Sequence, residues 1–136
     1  YGGDASSVDL NGVKDAKCGS HACVVVKENN TAVVWGFPKF GGDASSVDLN
    51  DVQSAMCGTY SCVAVKEDHT AVVWGDPDWG GDASSVDLNR VKDAMCGIHA
   101  CVAVKENGTA LVWGSLQNAN LQNVRSIEFK DRILRL

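Results

Sequence analysis

From His21 to Trp35 the chain alternates on a two-residue period. Ala22, Val24 and Val26 fall on one side and Cys23 and Val25 on the other. Lys27-Glu28-Asn29-Asn30 interrupts the run and Thr31-Ala32-Val33-Val34-Trp35 resumes it. Two β-branched runs about a short polar break predict a β-hairpin. Glu67-Asp68-His69 and Glu106-Asn107-Gly108 mark the same break further along, and Asn-Gly is a strong hairpin signal. Val13 to Cys18 also alternates and joins the hairpin through Gly19-Ser20, which makes a third strand, with Ser7-Val8-Asp9-Leu10 as a short fourth. Trp-Gly followed by Phe37-Pro38 or Asp76-Pro77 ends the pattern, because Gly and Pro do not extend a sheet.

The pattern is written three times. Gly-Gly-Asp-Ala-Ser-Ser-Val-Asp-Leu-Asn stands at 2–11, 41–50 and 80–89, and Cys18, Cys57 and Cys96 share its 39-residue spacing. No insertion or deletion breaks the register, so the units 2–40, 41–79 and 80–118 are expected to share one backbone conformation. Residues 119–136 restart the pattern incompletely: Asn120–Ile127 aligns with Asp9–Ala16, which predicts one extra strand that caps the array. The whole of 1–136 reads as a single repeat domain.

Composition narrows the function classes. Apolar residues make up 45% of the chain, a globular proportion. Apolar runs stay far short of the roughly 20 residues of a spanning helix, so membrane contact is expected only through a partner. Fifteen acidic and eight basic residues precede Ser115, whereas two acidic and four basic follow. An acidic body repels phosphate backbones and argues against nucleic acid. The chain begins at Tyr1, partway through a repeat, which fits processed or truncated native material and leaves the compartment unread.

Val13 to Gly36, with Cys18-Gly19, His21 and Trp35-Gly36, resembles the RCC1 (regulator of chromosome condensation) repeat, as do the two later copies. The likeness is to short bacterial and algal versions in which Trp-Gly-Asp-Pro leads into Gly-Gly-Asp-Ser-Ser. It implies an all-β fold of three propeller-type blades of about four antiparallel strands each, here with the C-terminal strand added. Two departures stand out: the unit is short, and Tyr60 replaces the His of the middle copy. Nothing in the chain carries over the family's nucleotide-exchange activity.

The chemistry-bearing residues are few. Cysteines sit as Cys-Gly-X-X-X-Cys in each unit. Opposed across a tight turn, Cys18 with Cys23, Cys57 with Cys62 and Cys96 with Cys101 come within disulfide reach; the alternative is six buried core thiols. The spacing is poor for zinc. His21 and His99 recur without an adjacent nucleophile and suit a turn-fixing hydrogen bond, while His69 lies in a solvated turn. Tyr1, Phe40 and Trp79 each precede Gly-Gly-Asp, an aromatic beside a carboxylate that could stack on a sugar; the same Asp suits a backbone turn. One carboxylate per loop is too few for calcium. Paired hydrolytic carboxylates, a phosphate loop and a Ser-His-Asp set are absent from the sequence.

These observations point to a non-catalytic protein-interaction or structural module without a cofactor, an accessory subunit of a larger complex. The C-terminal residues Phe129, Lys130, Arg132, Ile133, Leu134, Arg135 and Leu136 are its candidate docking tail, with a cap strand as the alternative. One concrete version, drawn from the resemblance, is a peripheral subunit of an algal photosynthetic membrane complex, associated with the plastid or thylakoid. A lectin-like module with three equivalent sugar sites is the rival.

Overall fold

A computed structural model of the chain describes residues 4–6, 8–115, 126–129 and 132–135. Each unit folds into a three-stranded antiparallel sheet. The first comprises β1 (Val13–Cys18), β2 (Ala22–Lys27) and β3 (Ala32–Gly36). The second comprises β4 (Val52–Cys57), β5 (Ser61–Lys66) and β6 (Ala71–Gly75). The third comprises β7 (Val91–Cys96), β8 (Ala100–Lys105) and β9 (Ala110–Gly114). The central strand is always the middle one in sequence, as in a simple meander. Cys18 pairs with Cys23, Cys57 with Cys62 and Cys96 with Cys101, so the register is the same in every copy. A bulge at Lys14, Gln53 and Lys92 recurs as well.

The predicted hairpins form with a left-handed residue at the tip: Asn30, His69 and Gly108 have φ of 66°, 68° and 88°. The predicted fourth strand does not form. Its place is taken by a turn-rich segment in which Asp48 Oδ1 accepts from the Asn50 amide at 3.0 Å, and Leu49 supplies a carbonyl to Ala32 N at 2.9 Å. The aspartate side chain competes with the ladder for backbone donors, so the segment lies beside β3 without extending the sheet. Lysine holds it there: Lys27, Lys66 and Lys105 donate to the carbonyls of Asp9, Asp48 and Asp87 at 3.0, 2.8 and 2.7 Å.

The sheets stack face to face in chain order, β2 on β4 and β5 on β7. Between the first two lie Ala22, Val24 and Val26 against Val52, Ala55, Cys57 and Trp74. Between the second and third lie Val63 and Val65 against Val91, Ala94, Cys96 and Trp113. Both faces of the middle sheet are apolar because it serves two interfaces: Ala64 and Trp74 pack toward the first sheet, Val63 and Val65 toward the third. Trp74 is 1% exposed and donates its Nε1 hydrogen to Gly41 O at 3.0 Å; Trp113 does the same to Gly80 O at 2.9 Å.

The C-terminal segment contributes strands outside the three sheets. β10 (Ser126–Phe129) and β11 (Arg132–Arg135) pair antiparallel as a separate two-stranded hairpin. The short β-favouring runs Ser-Ile-Glu-Phe and Arg-Ile-Leu-Arg supply its two strands. Lys130 and Leu136 of the docking tail, and most of the 120–127 strand prediction, lie outside the described residues.

Candidate functional site

The β1–β2, β4–β5 and β7–β8 turns all open on one rim of the stack. They pack so closely that a Cβ on Gly58 would sit 2.5 Å from the Gly97 carbonyl oxygen, and one on Gly19 would collide with the Gly58 carbonyl. Glycine is required at both positions by close backbone approach, which explains the Cys-Gly pairs of the first two units. Thr59 N donates to Gly97 O at 3.2 Å, and His21 Nδ1 lies 2.7 Å from Thr59 O. His21 therefore reaches the turn of the next unit, which sequence spacing could not show.

Between these turns lies a groove of about 340 Å³, lined by Lys17, Ser20, Met56, Thr59, Ile98 and the Cys-Gly pairs. The backbone walls repeat, while the lip residues Ser20, Thr59 and Ile98 differ. Ile98 is a large apolar side chain 49% exposed at that lip. The cysteines beneath are joined as Cys18–Cys23, Cys57–Cys62 and Cys96–Cys101, each bond tying the two strands that carry a turn. No free cysteine stands among the described residues.

Alongside the groove runs a ladder of rings. His21 lies nearly parallel to Tyr60 at 5.4 Å, and Phe40 meets both edge-on at 4.9 Å. Tyr60 continues to Trp79 at 5.3 Å and Trp79 to His99 at 4.9 Å. Phe37 stacks on Phe40 at 5.0 Å. Lys39 reaches across units to the buried Asp76 carboxylate at 3.6 Å, and that carboxylate also caps the Pro77–Trp79 turn by accepting from Asp78 N. Positions 21, 60 and 99 thus interleave with 40 and 79. Sequence reading assigned these positions separate jobs; their shared 39-residue period was the signal that could have joined them.

The ladder bears on the sugar reading. Phe40 and Trp79 spend their faces on neighbouring rings, and Asp43 and Asp82 accept from Ser45 N and Ser84 N at 2.9 Å within their own turns. Those bonds hold both carboxylates below their ordinary 3.8. The Phe40 and Trp79 copies of the aromatic-Gly-Gly-Asp segment are built as turn and packing elements, while Tyr1 of the first copy lies outside the described residues. Among the described residues, no group of three His, Cys, Asp or Glu side chains is placed to hold a metal.

Three solved structures superpose on this arrangement. Yeast RCC1 (Prp20) bound to Kap60 matches with TM-score 0.59 at 15% identity, over 94% of this chain and 37% of that one. The fold is an RCC1-like repeat fold. Human WBSCR16 matches with TM-score 0.59 at 19% identity, over 79% of this chain and 34% of its own. The ectodomain of the Physcomitrella patens receptor kinase CR4 matches with TM-score 0.57 at 15% identity, over 75% and 30%. The chain spans about a third of the length of each. No protein-family profile and no curated protein sequence matches it.

Proposed function

We propose that the chain is a non-catalytic protein-interaction module that binds its partner at the turn rim. The observation that carries this reading is the groove with the apolar Ile98 at its lip, set on glycine-packed, disulfide-tied turns beside the aromatic ladder. Such a surface combines a rigid backbone frame with variable lip residues, which suits recognition of a specific partner. Support comes also from the fold: Prp20 is a binding protein, seen with Kap60.

The partner belongs to a larger assembly in which this chain is an accessory subunit. The photosynthetic version of that assembly has only the repeat resemblance behind it, and the C-terminal docking residues are proposed as a second, separate contact. The test is affinity capture from source extract with the wild-type chain and with Ile98→Asp and Thr59→Arg. A polypeptide retained by wild type and lost with both variants supports the rim. Retention by both variants, with loss only when Arg132 and Arg135 are replaced by Ala, moves the contact to the tail.

A further inference from the structure

The hairpin tips on the rim opposite the groove carry a motif that the interaction reading does not use. Asn29-Asn30-Thr31 and Asn107-Gly108-Thr109 are both Asn-X-Thr, the acceptor pattern for N-linked glycans; the middle unit has Asp68-His69-Thr70 at the same place. The turn alone requires only an Asx residue. Asn29 Oδ1 accepts from Thr31 N at 3.1 Å and Thr31 Oγ1 at 2.7 Å, and Asn107 Oδ1 from Thr109 N and Oγ1 at 3.0 and 2.8 Å. Asp68 makes the same two bonds at 3.0 and 2.6 Å. The asparagines are therefore not demanded by the fold.

Two further observations give the motif meaning. Asn29 and Asn107 are exposed at the tips, and among the described residues neither Nδ2, the atom a glycan would join, takes part in a hydrogen bond. Independently, the cysteines of all three units are disulfide-bonded, a state that persists in oxidising compartments such as the secretory lumen and the cell exterior. Acceptor tips and disulfides call for the same compartment.

We infer that Asn29 and Asn107 are N-glycosylated in the secretory pathway. A lipid-pyrophosphate-linked oligosaccharide is the donor. Its sugar C1–oxygen bond breaks as the C1–Nδ2 bond forms; the lipid pyrophosphate leaves with the electron pair, Nδ2 loses a proton, and no oxidation state changes. The six residues of β2 and of β8 separate tip from groove, roughly 20 Å of extended chain. Glycans at the tips thus shield one rim and leave the other free.

The test is mass spectrometry of the chain purified from its source, with enzymatic glycan release in heavy-oxygen water. The expected result is heavy-oxygen Asp in place of both Asn29 and Asn107. Unmodified asparagine in both peptides overturns the inference. A second arm expresses the chain behind a cleavable signal sequence in a secreting eukaryotic host. Two glycans are expected on wild type, one on Asn29→Gln, none on the double Gln variant and three on Asp68→Asn. Glycan persisting on the double variant, or a glycosylated product that is not secreted, counts against these sites. Neither arm depends on partner binding, so the interaction reading stands or falls separately.

Discussion

The outward face of the first sheet and the corresponding faces of the second and third have nearly the same residues and different surroundings. Ala16 and Cys18 are exposed, whereas Ala55, Cys57, Ala94 and Cys96 are buried. Trp35 is half-buried, whereas Trp74 and Trp113 are buried between sheets. Sequence makes each sheet two-faced; a neighbouring sheet is what turns a face into core. The energetic weight of a repeat residue therefore follows its place in the stack.

The sharpest way to break that comparison is a pair of tryptophan truncations. Trp74→Ala is expected to cost about 3–5 kcal/mol, because it empties a filled interface, while Trp35→Ala costs less than half as much. Equilibrium denaturation of both variants measures the gap, and equal losses would remove the distinction. Next comes the ladder. Tyr60 touches three rings and His99 one, so Tyr60→Ala should cost about 2 kcal/mol and His99→Ala about 0.5.

A chemical probe sharpens the same contrast. Thiol–disulfide exchange needs access to a sulfur, and Cys18 is exposed while Cys57, Cys62, Cys96 and Cys101 are not. Under limiting reductant, alkylation mapped by mass spectrometry should label Cys18 and Cys23 ahead of the other four. The smallest effect should ignore position altogether. Asp9, Asp48 and Asp87 each accept from the amide two residues on, which lowers their pKa below 3.8 in every unit. A depressed carboxylate contributes stability that is complete above the unfolded value and lost as pH falls below it. Thermal melts should hold steady from neutral pH to about 5 and decline below 3.8, a decline that Asp9→Asn, Asp48→Asn and Asp87→Asn weaken alike.

The strands and hairpins were legible because period-two alternation is local: Val13–Cys18, Ala22–Lys27 and Ala32–Gly36 can be read residue by residue. Val8 to Leu10 and their copies misled because aspartate side chains capture the amides a fourth strand would need. The C-terminal hairpin has no counterpart in the repeat register, and its second strand, Arg132–Arg135, lacks the period-two alternation that marks the others. The His21–Thr59 bond and the His21–Tyr60 contact join residues about one repeat apart, and the other links between units of the ladder span about half a repeat, all beyond a strand-length window. The site was legible as residue types but not as an assembly.

The central claim is that this chain works as one component of a protein assembly, and its native mass tests that most directly. Light scattering on a size-exclusion column, applied to material from the source, is expected to show a particle well above 14.4 kDa that contains other polypeptides. A particle holding only a single copy of this chain, with whatever glycan it carries, would contradict the account.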